Sequence, residues 1–449
     1  MPAPESPILP PAHFRVIIVG GGPAGLGMAH ALALAGIDYV LLERRREVVH
    51  PDGASIALWP HGVRIMDQFG LLEQARRLYM PIKSKYNLRP DGSLREKNDM
   101  FQAIETNHGH PWMLFRRTEL LELLYNSIPD KENHVFPETD VTRIDMDTNG
   151  VRVYCKDGAS YAGSIVVGCD GVHSSVRRIM REMMLKSNKR VDDDEMPMKT
   201  YYNGLIGYLP KIPGLESGSV YEVRGARQSF HVLAGIDDAY FFVYNCLDHP
   251  CDDGNRYTDV DAEALAHKVL NQPITKDIKF RNLWEAKTWA KMIDYQEGFL
   301  KKWYYGRIVL VGDSVHKTTP NAGLSLNTGW QGMVELTNRL HALLQKHPNP
   351  DLKRLTGVFK NYQRRRVKVA KEVMQFSGMY TRVVAWQNPL YKFADLVAPK
   401  LGGDIVLLDN LASPIVRKGI VLDFVEETGH KEGKVPWRNG APLQKKVVQ

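Results

Sequence analysis

The run Phe14-Arg15-Val16-Ile17-Ile18-Val19 is short, β-branched and bounded by glycine, so it predicts a strand buried on both faces. A small-residue helix is expected over residues 26–35, stopped at Gly36, and a second apolar strand over 39–42. Two more buried strands are expected at 165–169 and 307–311, the latter running into a glycine-containing stretch, 321–329, that opens a long helix near Asn327. Strands alternating with helices point to an α/β fold with a parallel sheet. Residues 196–303 have a different texture. The segments 219–223 and 240–244 are aromatic and β-branched, which predicts a β-rich region carrying one amphipathic helix, 259–270, capped by Asp259 or Asp261. From Glu335 onward the pattern is helical, including 358–376, and the tail beyond Pro389 mixes apolar runs (405–408 and 420–422) with Gly and Pro. No internal repeat or low-complexity segment is evident.

Composition narrows the class. The 449 residues are 43% hydrophobic and 24% charged, which excludes wholesale disorder, collagen and coiled coil. The net charge of +8 is spread thinly; the densest basic clusters, Arg44-Arg45-Arg46 and Arg364-Arg365-Arg366, are three residues each, too short for a nucleic-acid footprint. Four cysteines (Cys155, Cys169, Cys246, Cys251) make no dense framework, so a reducing, cytoplasmic setting is expected. Cys246 and Cys251 flank His249, but no second ligand pair follows at zinc-finger spacing, and no metal is expected. The N-terminus lacks a basic region followed by a long apolar one, so it does not read as a signal peptide. No stretch reaches the roughly 18 apolar residues of a membrane-spanning helix; peripheral membrane contact by the basic, apolar tail is the remaining membrane reading, with packing against the body of the protein as its alternative.

The sharpest chemistry lies at the first strand–helix turn, Gly20-x-Gly22-x-x-Gly25. Gly20 permits a tight turn, Gly22 lets a pyrophosphate approach the backbone, and Gly25 lets helix and strand pack closely. The helix N-terminus offers N–H groups and a positive dipole end to phosphates. Glu43, 18 residues beyond Gly25, sits where an acid binds ribose hydroxyls. Strand, glycines, helix, strand and acid in register predict a Rossmann-like dinucleotide site.

Two later motifs separate FAD from NAD. Asp170-Gly171 follows the 165–169 strand, with Arg177 six residues on, and Gly312-Asp313 follows the 307–311 strand. With GxGxxG, a middle "DG" and a C-terminal "GD" in that order, the chain resembles the single-component FAD-dependent aromatic hydroxylases and epoxidases with the fold of p-hydroxybenzoate hydroxylase, over roughly residues 14–345. The phrases Gly53-Ala54-Ser55-Ile56, Pro60-His61-Gly62 and residues 312–321 are most similar to the branch of fungal secondary-metabolism monooxygenases that epoxidise terpenoid, meroterpenoid or polyketide intermediates. The resemblance implies that Glu43 holds the adenosine ribose and that Gly53 or Ala54 lies along the flavin. It puts Arg117, with Arg116 as the adjacent alternative, at the ribityl–pyrophosphate region, Asp170 in the DG motif, Asp313 at a ribityl hydroxyl and Leu326 against the ring. Plainer roles remain open: Asp313 as a helix cap, Arg117 as a solvated helix residue, Asp170-Gly171 as a turn. His173 and His316 read as structural.

The implied layout is a discontinuous FAD-binding domain (1–80, 110–195, 304–345), a β-sheet substrate domain (81–109, 196–303) and a C-terminal helical region (346–449). The implied activity is a monooxygenase in which NAD(P)H, bound transiently without a motif, reduces FAD and O2 is delivered to a small-molecule substrate through a flavin hydroperoxide. Epoxidation needs a proton donor and phenol hydroxylation needs a base. The candidates are Arg190, as a hydrogen-bond donor, and Tyr202 at the entry to the second sheet. The expected reaction is epoxidation or hydroxylation of a bulky natural product; the alternative is a phenol- or salicylate-type hydroxylase. Two coincidences carry less. Phe376-x-Gly378-x-x-x-Arg382-x-x-x-Trp386 departs from the Baeyer–Villiger fingerprint at Arg382 and reads as helix packing, and Trp284 and Trp289 are wrongly spaced for a flavin halogenase.

Overall fold

The computed structural model describes residues 13–50, 53, 55–187, 198–252 and 254–440. Arg15–Val19 is a central strand, paired in parallel with Asp38–Leu42 on one side and Ile165–Gly168 on the other. Ile308–Leu310 adds in parallel to Ile165–Gly168, Val135–Phe136 to Asp38–Leu42, and Tyr304–Tyr305 closes one edge antiparallel, completing six strands. The apolar runs are buried because the layer is covered. A three-stranded meander (Val141–Met146, Val151–Cys155, Ser160–Gly163) packs on the central strand, and the helix Pro23–Leu34 packs against Arg117–Asn126 and Ser325–Leu344. Pro23–Leu34 begins three residues earlier than the apolar spacing suggests, since a proline is preorganised for the first helical position. Likewise the long helix opens at Ser325, two residues before Asn327.

The second sheet has eight strands, and its long members alternate strictly between two environments. Tyr221, Val223, Phe230, Val232, Phe241 and Val243 pack under the helices Asp259–Val269 and Phe280–Glu285. Val220, Leu233 and Tyr240 turn the other way, toward Trp59, Trp112 and Leu114 of the first half of the molecule. Segment 240–244 is the middle of a 14-residue strand, Asp238–Cys251. Ser84–Leu88 and Leu94–Asn98, far away in sequence, extend this same sheet. The helix Asp259–Val269 is capped by Thr258 rather than Asp259 or Asp261. Asp261 instead completes the capping box by reaching back to the Thr258 N–H. The four cysteines are free thiols, and among the described residues no cluster of His, Cys, Asp and Glu suits a metal.

The helix Leu352–Val384 spans 33 residues and is followed by short helices, Pro389–Val397, Gly403–Leu407 and Ser413–Val416. The chain then folds back. Gln331 brackets Ile420 through both its amide groups, Gln68 does the same for Leu422, and the buried Arg64 holds Glu427 through two nitrogens at 2.6 and 2.7 Å. The apolar run at 420–422 is therefore packed against the body, with Leu422 fully buried. Among the described residues of this segment Leu390, Phe393, Leu396 and Leu401 are more than half exposed, and Val406 and Leu411 are 42% exposed each. Among the described residues no helix is long and apolar enough to cross a membrane.

Candidate active site

A cleft of about 520 Å³ opens between the two sheets at the carboxyl ends of the parallel strands, where open α/β sheets bind ligands. It is lined by Gly20, Gly22, Glu43, Arg117, Asp170, Asp313 and Leu326 among others, so residues scattered over three hundred positions converge on one groove. Gly53 abuts it, and Ala54 lies outside the described residues.

The turn after the first strand leaves its backbone open to the cleft. Gly20 has φ +105°, a backbone conformation that favours glycine, and an added Cβ would meet Cys169 O at 2.7 Å. A Cβ on Gly25 would sit 1.8 Å from Gly20 O, so this residue sets the helix against the turn. A Cβ on Gly22, by contrast, would meet nothing within 4 Å. Of these three glycines Gly22 alone has room for a side chain, and that room belongs to the cleft. The helix Pro23–Leu34 starts there with no side-chain cap and no acid in its first turn, leaving its positive end to a ligand. Glu43 accepts from Gly21 N at 2.6 Å and Arg45 N at 2.9 Å, which fixes its carboxylate at the rim of the groove.

Asp170 and Asp313 are held differently. Asp170 accepts from the Ser174 hydroxyl and from Val176 N, so it braces the Ser174 cap of the helix Ser175–Lys186 while lining the cleft. Burial raises its pKa above the usual carboxylate value, against those hydrogen bonds. Asp313 accepts from Ser325 Oγ at 2.7 Å and pairs with the Lys317 ammonium. Burial alone would raise the Asp313 carboxyl, but Lys317 and the Ser325 hydroxyl outweigh it and hold the group below its ordinary value. Arg177 joins the two motifs: its guanidinium donates to Ser314 O at 2.9 Å and to Val172 O.

The neighbours Arg116 and Arg117 part company. Arg116 ends a strand and pairs with Asp238 of the second sheet, under Tyr208, whereas Arg117 opens a helix and lines the groove. Gly53, at φ +122°, lies so close to Arg117 that a Cβ there would fall 2.3 Å from Arg117 Cδ. Asn327 does what the sequence does not announce. Its buried side chain accepts from Trp59 N and donates to Ala57 O, locking the strand Ser55–Leu58 to the N-terminus of the long helix.

Tyr202 is not in the groove. It is fully buried beside Tyr244, Cys246 and Tyr295, its hydroxyl donates to Gln387 at 3.1 Å, and burial pushes its pKa up. Arg190 lies outside the described residues. His316 is buried and pushed down to about 4 by burial, while His173 stands at the rim. Arg382, on the helix Leu352–Val384, pairs with Glu297 of the second sheet, and Phe376 of the same helix lines an annex of the cleft.

Beyond the nucleotide end the lining becomes aromatic and aliphatic: Trp112, Phe242 and Tyr244 face the groove with Leu233. A mostly apolar annex of about 80 Å³ continues from there, lined by Trp59, Phe101, Phe376, Leu407 and Leu408 and, on one side, by Lys85, Glu222 and Asp404.

The FAD-binding-domain family model matches residues 13–377. A FAD-dependent monooxygenase of Alternaria brassicicola, DEP2, is 34% identical over 97% of this chain and 83% of its own length. The FAD-dependent monooxygenase olcE of Penicillium canescens is 32% identical over 92% of this chain and 90% of its own. In fold the chain is similar to Klebsiella pneumoniae HpxO, solved with FAD and uric acid (TM-score 0.73, 19% identity, 90% of this chain and 97% of that one). The groove has the features FAD asks of it: an open glycine facing a helix N-terminus for a diphosphate, carboxylates at both ends for hydroxyls, and an aromatic wall beyond. The chain belongs to the FAD-dependent monooxygenases built on this FAD-binding domain.

Proposed function

We propose that the enzyme uses NAD(P)H and O2 to epoxidise or hydroxylate a bulky, largely apolar natural-product intermediate of terpenoid, meroterpenoid or polyketide type. The observation that carries this reading is the continuation of the cofactor groove into an aromatic chamber and then an apolar annex beneath the C-terminal helices. The fungal relatives, named as FAD-dependent monooxygenases, are consistent with it.

Gly22 and the N-terminus of Pro23–Leu34 would hold the diphosphate, Glu43 the adenosine ribose, Arg117 and Asp313 the ribityl–diphosphate stretch, and Leu326 the ring. Bound there, FAD supplies the redox and oxygen chemistry that no side chain offers. The chain's own work is to bind, orient and exclude water. The N-terminus of Ser325–Leu344 and the Lys317 ammonium bring positive potential to the middle of the groove. Trp112, Leu233 and Phe242 keep the reacting end dry. A second reading, hydroxylation of a phenol, draws support from a histidine–carboxylate pair, His231 and Glu222, at the chamber wall. NADPH oxidation under air separates the two: stimulation by prenylated and polyene substrates with little peroxide supports the first, stimulation by small phenolic acids alone the second.

The exposed row Leu390, Phe393, Leu396 and Leu401 supports peripheral contact with a lipid surface. Its exposed cations, Lys392 and Lys400, face outward, while Asp395 and Asp404 of the same segment turn inward into ion pairs.

A further inference from the structure

Strands Ser219–Gly225 and Gln228–Ala234 pair so that Glu222 lies opposite His231, and Ser84–Leu88 adds Lys85 and Asn87 on the same face. On this face, against the annex, sits a buried ionic group. Lys85 Nζ is 2.9 Å from Asp404 and 3.4 Å from Glu222, Arg224 is 2.6 Å from Glu222 and also holds Asp395, and Asp395 is shared with Arg95. Three cations meet three carboxylates, so the formal charges of the group balance without His231.

His231 is attached to this group at one side only. Its Nε2 lies 2.9 Å from Glu222 Oε2, an ion-pair contact whose N–H is not aligned as a hydrogen bond. With the Nε2 proton facing that carboxylate, Nδ1 of the neutral ring is an acceptor. Among the described residues, the groove and its annex share four lining side chains, Trp112, His231, Leu233 and Asn321. His231 is the one of these four that can take a proton, and it stands where an apolar substrate body would pass from one space to the other. The charged or titratable groups around it are Glu222 and Arg224 on its neighbouring strand, Lys85 beyond, Tyr244 on the other side, Tyr380 of the helix Leu352–Val384 and Asp404.

Resting on the monooxygenase reading of this site, we propose that His231, held by Glu222, is the substrate-recognising residue. It accepts a hydrogen bond from a hydroxyl (a phenol, enol or alcohol) on a substrate whose apolar body lies along the groove and reaches the annex. If that hydroxyl ionises during turnover, its proton passes to Nδ1 and the imidazolium formed is paired with Glu222. Lys85 and Arg224 act as positioning residues by fixing that carboxylate.

The test uses the FAD-loaded enzyme with a prenylated phenol, its O-methyl ether and a hydroxyl-free polyene. Binding is read from perturbation of the flavin spectrum and turnover from NADPH oxidation with product formation. The wild type is expected to bind the phenol roughly tenfold more tightly than the ether, the scale of one hydrogen bond. His231→Leu should abolish that preference and flatten the pH profile for the phenol, and His231→Gln, which keeps an acceptor, should restore part of the preference. The flavin spectrum and melting temperature of each variant report whether it has folded. Equal binding of phenol and ether by the wild type, or a preference that survives His231→Leu, overturns the proposal while product formation from the polyene leaves the monooxygenase reading intact. Failure of all three compounds to stimulate oxidation sinks both.

Discussion

The guanidinium of Arg177 donates to the main-chain oxygen of Ser314 at 2.9 Å, bridging the helix that follows the Asp170-Gly171 turn and the loop that carries Asp313. Two motifs separated by more than a hundred residues are thereby held as one wall of the cofactor groove. Arg177→Met should loosen that wall, costing about 1.5–3 kcal/mol in the hydrogen bonds of a charged donor. Faster release of FAD, followed by its fluorescence on dilution, and a lower melting temperature are the expected readouts.

The glycines of the first turn should separate by function. Gly22→Ala adds a methyl group to open cleft, so the protein is expected to fold with a melting temperature within about 2 °C of wild type, the size of a few tenths of a kcal/mol, but to bind FAD at least about tenfold more weakly. Gly25→Ala drives a methyl group into Gly20 O and should destabilise the fold itself. Thermal melts with and without added FAD distinguish the two. Equal loss of fold in both variants would contradict this division.

Lys317 and Asp313 give a pH prediction. The Asp313 carboxyl is held below its ordinary value, so it stays ionised through the weakly acidic range, and its contribution is lost only as acid carries the pH through the lowered value. In Lys317→Met the main opposing charge is gone and burial dominates, which raises the carboxyl. Release of FAD on acidification should then begin at higher pH than in the wild type, as read by flavin fluorescence. An unchanged midpoint would mean that Asp313 does not help to hold the cofactor.

The outer face of the C-terminal helices makes a separate prediction. Replacing Phe393 and Leu401 by serine should lower co-sedimentation with vesicles containing anionic lipid severalfold, with little change in melting temperature because both side chains are exposed. Raising the salt concentration should weaken the wild-type binding if Lys392 and Lys400 contribute.

Much of the cofactor groove was legible because its residues act through local rules. A β-branched run, spaced glycines, a proline-started helix and an acid at the next strand end each constrain only their neighbours, and the parallel sheet brings the three motifs to one edge. The substrate side was not legible in this way. The ladder shifts register between Thr200 and Tyr202, and Tyr202 ends in a closed aromatic cluster rather than in the cleft. Glu222 and His231 meet only because a hairpin pairs them, and Lys85 and Asp404 come from segments more than three hundred residues apart. Arg116 and Arg117 are adjacent, yet one ends a strand and the other starts a helix, so their side chains diverge. Such placements depend on long-range register, which one sequence does not display.

The most direct test is turnover of the FAD-loaded enzyme with NADPH under 18O2, using a prenylated or polyene substrate and analysing the product by mass spectrometry. Incorporation of one labelled oxygen atom per NADPH consumed, with little peroxide, is the expected result. NADPH oxidation that yields only hydrogen peroxide across such substrates, or a product whose added oxygen is unlabelled, would contradict oxygen transfer to a bulky apolar substrate in this cleft.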